Sequence, residues 1–555
     1  MHCSISLHHR SVVLNGPLLT FSGITQPLIL REMHRRPLHE IPCQFVIAVN
    51  IKMRRLLLLS AAFLNGYAGT VGGVVVEHIS GRPMARALVR LDPAPQPNGD
   101  KLIPLTTRAG RSGAFTFPVV APGIYLLTAL RDGYFPASYG QRLPIGRGIP
   151  FEVTADSNTF AELRLRHKGA ITGRVLDENG VGTAGTPVVA YRARLPLRSA
   201  GHAMSDDRGV YRIPGLEPGK YWVRSAAFTL EDGSGWLPTF GPQARESREA
   251  RIHPVAVDAD TTDADLNPEP GRLFRFGGKV QCTGSSVIVT LSSETGRQTT
   301  KTDCANGYYR FEGVAPGVYE VFAVVDSGNA AGYIELFVDR DSENGNVQAL
   351  ELPNVTIDVV RAGSNAPPQV PVQLIGRRQD LSETETTSDI PLPRAKLAPG
   401  HWEFQARVPD GQYVQSIRSS YSQARRLPRG EDASDWFAVF IEPRTYNRLA
   451  IAVSDQAAQI AGSVKKDGAP VVAAPVFLWP VDQSARRSLG GPRQTLTDTS
   501  GNFHFGSLPP GDYRLLASFD VNEIDEELID LSRAPVIHCE ASQTAGADLP
   551  IWIAP

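Results

Sequence analysis

The residues that could do chemistry are plentiful, but their spacing is wrong for catalysis. The chain carries 12 histidines and 57 acidic residues. No histidine opens His-x-x-Glu or His-Glu-x-x-His, the spacings that place zinc ligands and a general base on one scaffold. His39-Glu40 is adjacent and falls in the N-terminal leader. No Gly-x-Ser-x-Gly elbow and no glycine-rich phosphate loop occurs. Two acidic clusters carry hard oxygens suited to calcium: Asp258, Asp260, Asp263 and Asp265, then Asp339, Asp341, Glu343 and Asn344. Neither has EF-hand spacing, and both fall where a turn is expected, so solvated turns are the expectation. The chain is therefore expected to be no enzyme, with no cofactor and no metal.

Binding chemistry is better represented. Two loops repeat a proline-centred aromatic pattern, Gly133-Tyr134-Phe135-Pro136-Ala137-Ser138-Tyr139-Gly140-Gln141 and Gly235-Trp236-Leu237-Pro238-Thr239-Phe240-Gly241-Pro242-Gln243. Flat rings on a loop can stack on sugars while Gln supplies hydrogen bonds. The candidate ligand-binding residues are thus Tyr134, Phe135, Tyr139, Gln141, Trp236, Phe240 and Gln243. The competing expectation is that these rings plug the end of their own domain, or the joint to the next. Cys282 and Cys304 are expected to form a disulfide if the chain is exported, the alternative being two separate thiols. Cys539 reads as a buried small hydrophobe.

These loops must be positioned by a scaffold, and the scaffold repeats. Pro-Gly, one residue, then an aromatic recurs at Pro122–Tyr125, Pro218–Tyr221, Pro316–Tyr319, Pro399–Trp402 and Pro510–Tyr513. The spacing of about 100 residues suits whole small domains rather than solenoid units. Ahead of the turn stand phrases such as Ser205-Asp206-Asp207-Arg208-Gly209-Val210-Tyr211-Arg212-Ile213 and Thr497-Asp498-Thr499-Ser500-Gly501-Asn502-Phe503-His504-Phe505. The Asp can bond turn amides, Gly supplies positive φ, and the alternating aromatics mark a half-buried strand. The strand, the Pro-Gly turn and the next strand read as a hairpin, once per domain. Further upstream lie a Gly-led strand (Gly73, Gly173, Gly278, Gly462) and a second short strand such as Val287-Ile288-Val289-Thr290-Leu291. Short strands with regular turn signals, and 51 Gly and 43 Pro to make them, predict β-sandwiches.

In its Gly-x-Val-x-Asp strand, Thr-Asp-x-x-Gly turn and Pro-Gly-x-Tyr phrase the chain resembles the carboxypeptidase regulatory-like domain family. The resemblance implies an all-β fold, a tandem array of about five transthyretin/prealbumin-like β-sandwich domains, related to a carbohydrate-binding-like fold. It covers roughly residues 69–555 and specifies fold better than function. Copy four keeps only Leu397-Ala398-Pro399-Gly400-His401-Trp402. The expected units are 69–167, 168–270, 271–354, 355–456 (degenerate) and 457–555.

A net charge of -1 gives no field that would draw nucleic acid. Met53-Arg54-Arg55, the apolar run Leu56–Leu64 and Ala68 read as a signal peptide over 53–68, with 1–52 as upstream translation or a disordered leader. No other segment is expected to span a membrane. Units joined almost without linker predict a semi-rigid rod. The sequence thus points to a secreted, periplasmic or cell-surface binding or scaffold protein, with polysaccharide or glycan the favoured ligand and cell-envelope proteins as further partners. The alternatives are a structural stalk or adhesin, or an accessory protein of an outer-membrane transporter.

Overall fold

The computed structural model describes residues 68–94, 101–194, 197–229, 234–293, 296–364, 371–378, 387–419, 435–443 and 446–555. The leader 1–52 and the signal peptide 53–68, apart from Ala68, lie outside them. Nearly all the regular structure is β. Among the described residues the helices are Gln483–Leu489, Glu526–Ser532 and a 3-10 turn at Ser247–Glu249.

The chain is a tandem array of five β-sandwiches. Five hydrophobic cores follow one another, from Val71 to Leu165, Ile171 to Leu266, Phe276 to Ala349, Val355 to Val453 and Ala458 to Leu549. Each sandwich repeats one topology. The opening strand pairs in parallel with a strand from the unit's end: Gly69–Glu77 with Asn158–Leu165, and Ala458–Lys466 with Thr544–Pro550. The degenerate fourth copy does the same, Asn354–Arg361 lying parallel to Asn447–Ser454. In the facing sheet, the second strand pairs antiparallel with the strand after Pro-Gly, as Leu88–Pro93 does with Gly123–Leu130.

The opening glycine is explained by that parallel pairing. A Cβ on Gly73 would sit 1.9 Å from the Ala161 carbonyl oxygen, and one on Gly462 would sit 1.6 Å from that of Ala547. A larger residue would push the first and last strands apart.

The expected hairpin is corrected. Ala114–Val120, before the first Pro-Gly, pairs with the opening strand, whereas Gly123–Leu130, after it, belongs to the other sheet. The same switch occurs at each copy, for instance between Asn502–Leu508 and Gly511–Ala517. Pro-Gly therefore makes a corner that crosses between sheets. Period-two strands flank a corner and a hairpin alike, so the local pattern does not separate them. The aromatic that follows fastens the corner. Tyr125 donates its hydroxyl to the Ala121 carbonyl at 2.9 Å, Tyr221 to Glu217 at 2.8 Å, Tyr319 to Ala315 at 3.0 Å and Tyr513 to Pro509 at 2.5 Å. This is the logic of a tyrosine corner: a buried ring fills the core while its polar tip satisfies the carbonyl just before the proline.

The Asp turns form as the sequence leads one to expect. Asp206 Oδ1 accepts from the amides of Arg208 at 2.9 Å and Val210 at 2.8 Å. Asp498 Oδ1 accepts from Ser500 and Asn502, both at 2.8 Å.

Candidate binding site

The first aromatic loop is built at the joint between the first two sandwiches. The Phe135 amide donates to the Arg166 carbonyl at 2.8 Å, and that of Lys168 to Gly133 at 3.1 Å. These bonds draw the loop down onto the connection, and its rings go with it. Phe135 is buried. Tyr134 is half-buried and lies against the His167 ring, with centroids 4.1 Å apart. Burial, and then the nearby Glu77 carboxylate, push its phenol pKa up. Tyr139 is half-buried and packs edge-on against Phe151 at 5.0 Å. Gln141 is spent on the loop itself: its Oε1 accepts from the Ser138 amide at 2.7 Å, and its Nε2 donates to the carbonyls of Leu143 and Pro144.

The second loop behaves alike at the joint between the second and third sandwiches. Gly235–Trp236 is the middle strand of a three-stranded patch, between Phe228–Thr229 and Pro270–Gly271. Trp236 is 7% exposed and Phe240 is 2% exposed. Phe240 packs 6.3 Å from Tyr191, with the Arg224 guanidinium over its ring. Gln243 is exposed.

Phe135, Trp236 and Phe240 are buried, Phe240 within the second sandwich against Tyr191 and Ala244, which leaves these rings little free face for a sugar. Tyr134 and Tyr139 have ring partners within the protein, and Gln141 has no amide hydrogen left over. Apolar rings at a joint between sandwiches gain more from leaving water than from facing it.

The acidic clusters are likewise taken apart. Asp258 caps the His167 amide at 2.6 Å, Asp260 holds Arg212 through two bonds, and Asp265 accepts from the Arg174 amide at 2.8 Å. Asp341 accepts from the Arg275 amide at 2.9 Å, and Glu343 pairs with Arg310 at 2.6 Å. Among the described residues no group of three or more His, Cys, Asp or Glu is placed to hold a metal ion. Cys282 and Cys304 are bonded, with Cα atoms 5.4 Å apart. Cys539 is free and buried, and burial pushes its thiol pKa up to about 11.

The main feature that the sequence leaves unread is a contact between the first and fifth sandwiches. Arg142 pairs with the buried Asp520 at 3.0 Å, and the Ala554 amide donates to the same carboxylate oxygen at 2.9 Å. The Arg147 amide donates to the Phe519 carbonyl at 2.6 Å, and its guanidinium to Gln494 at 3.1 Å. Asn522 bonds the Ile145 carbonyl. The segment that makes these bonds, residues 142–147, directly continues the first aromatic loop. The first and fifth sandwiches therefore touch, a contact that a rod with contacts only between successive units does not contain. The other joints are also packed. Phe322 and Tyr333 of the third sandwich share a small core with Phe440 of the fourth. In the same joint His401 lies 3.3 Å from Glu320.

No protein-family model matches this chain, and no curated protein matches it. Solved structures similar to parts of it include the minor pilin of Streptococcus agalactiae, 14% identical, covering 36% of this chain and 95% of its own, with a TM-score of 0.22. A streptococcal ancillary pilin is 10% identical over 51% of this chain and 99% of its own, at 0.19. The major pilin subunit of Bacillus cereus is 11% identical over 51% and 99%, at 0.16.

Proposed function

We propose that the chain is an exported, non-catalytic scaffold whose five sandwiches act as one frame, holding contacts with cell-envelope partners. The observation that carries the reading is the first-to-fifth contact centred on Arg142 and Asp520. Beads meant to move independently have no use for a buried carboxylate reserved for a distant bead. Packed aromatic joints support the same reading, because each removes a hinge. The units 69–167, 168–270, 271–354, 355–456 and 457–555, the signal peptide over 53–68, and kinship with carboxypeptidase regulatory-like domains belong to this proposal. A glycan stacked face-on against Phe135, Trp236 or Phe240 does not, since those rings are buried.

The test uses cells that express the full chain. Fractionation and protease shaving are expected to place it at the envelope or outside. A variant with Arg142→Glu and Arg147→Glu, which opens the contact, is expected to be exported but to lose its hold on the envelope. A cytoplasmic chain, or full retention of the opened variant, would overturn the proposal.

A further inference from the structure

A pocket of about 170 Å³ lies beside the first aromatic loop. That is room for several waters or for one small polar molecule. One wall comes from the strand Asn158–Leu165 and the residue after it. Glu162, Arg164 and Arg166 alternate there and so present their side chains to one side. The opposite wall is the loop, with Ser138 and the Gln141–Pro144 turn, and Phe135 contributes an apolar surface. That wall is held in place from two directions, by Gln141 within the loop and by the Arg142–Asp520 pair from the fifth sandwich.

The lining is unevenly satisfied. Arg164 pairs with the exposed Glu162 on its own strand at 2.5 Å and makes a long bond of 3.4 Å to the His78 carbonyl, and Arg166 reaches Asp258 at 3.5 Å. Such exposed or long pairs are weak, so a ligand anion can take either guanidinium at little cost. His78 also lines the pocket, but its Nδ1 is shut off from solvent and so lies out of a ligand's reach. The set is rich in donors, with one carboxylate acceptor beside two guanidiniums. That combination fits a molecule that is itself anionic and also carries hydroxyl groups.

We propose that this pocket binds a small hydroxycarboxylate, its carboxylate toward Arg164 and Arg166 and its hydroxyls toward Glu162 and Ser138. The shared chemistry has two sources, an acidic sugar unit of a glycan and a free hydroxy acid. The pocket stands apart from the scaffold reading, because its lining belongs to the first sandwich alone and only its outer wall is braced by the fifth.

Calorimetric titration of the full chain with D-glucuronate, L-tartrate and neutral D-glucose tests it. At least one of the two acids is expected to bind at millimolar affinity or better, with glucose about ten-fold weaker or more. Binding of glucuronate alone identifies the sugar acid, and binding of tartrate alone the free acid. Arg164→Gln and Arg166→Gln lie at partly exposed positions and are each expected to weaken binding about ten-fold, whereas Arg310→Gln in the third sandwich leaves it unchanged. Folding of each variant is read by circular dichroism, and Arg164→Lys is expected to retain part of the affinity. No binding of either acid, equal binding of glucose, or indifference to both substitutions would overturn the proposal.

Discussion

Trp402 donates its indole Nε1–H to the carbonyl of Ala398 at 2.9 Å. That is the bond that Tyr125, Tyr221, Tyr319 and Tyr513 make with their hydroxyls, each to the residue just before the proline. The fourth sandwich has lost most of the repeat but keeps this fastening with a different ring. What each copy retains is a buried donor four residues after the carbonyl it must satisfy, and only Tyr and Trp combine such a donor with a core-filling body.

Tyr513→Phe should therefore be disproportionate for the loss of one oxygen. The ring still fills the core, but the Pro509 carbonyl loses its donor, at a cost of about 1–2 kcal/mol. Tyr513→Ala adds a cavity and should cost about 3–5 kcal/mol. Hydrogen exchange on the strands of the fifth sandwich reads both, and equal effects of the two changes would mean that the hydroxyl contributes nothing.

Trp236→Ala tests the plug. At 7% exposure the ring behaves as core, so its removal should destabilise the second sandwich by about 3–5 kcal/mol. Denaturant unfolding followed at that joint provides the measurement. An unchanged midpoint would return Trp236 to the surface and reopen the stacking reading.

Asp206 gives a pH dependence of known sign. Its bond from the Val210 amide, above all, and that from Arg208 hold its pKa below the ordinary value. The stabilisation is complete above the unfolded carboxylate pKa of about 3.9 and is lost as pH falls through the lower folded value. Protection of the Val210 amide against exchange should drop on acidification below about pH 4. Asp206→Asn should remove that dependence, and a wild-type amide indifferent to pH would count against the turn.

Reducing Cys282–Cys304 opens a loop with a sequence separation of 22. The third sandwich should lose about 3 kcal/mol in the chain-entropy model. A thermal scan with and without a reductant resolves this, provided that Cys282→Ser with Cys304→Ser reproduces the reduced midpoint. Cys539, already a free thiol, offers the reductant no bond to break.

Much of each sandwich was legible because its signals are local. The Asp206 and Asp498 turns and the strand alternation around Tyr211 and Phe503 lie within ten residues and carry their own stereochemistry. The Pro-Gly corner was located correctly but misread as a hairpin, since the sheet a strand joins depends on partners such as Gly73 or Val89 that lie tens of residues away. The aromatic loops were found, but their direction was not, because His167 and Pro270 decide it from outside the loop. Glu162, Arg164 and Arg166 could have been noticed as charges alternating along one strand. Nothing near Arg142 announces Asp520.

The Arg142–Asp520 bond joins positions separated by 378 residues. Contacts of such range must wait for everything between them. A chain made from its N-terminus can finish its first sandwich early, yet the surface around Arg142 and Arg147 stays open until the last strands, Val536–Cys539 and Thr544–Pro550, are in place. A chain that stops before the fifth sandwich therefore keeps that surface bare, and one that carries the fifth sandwich covers it.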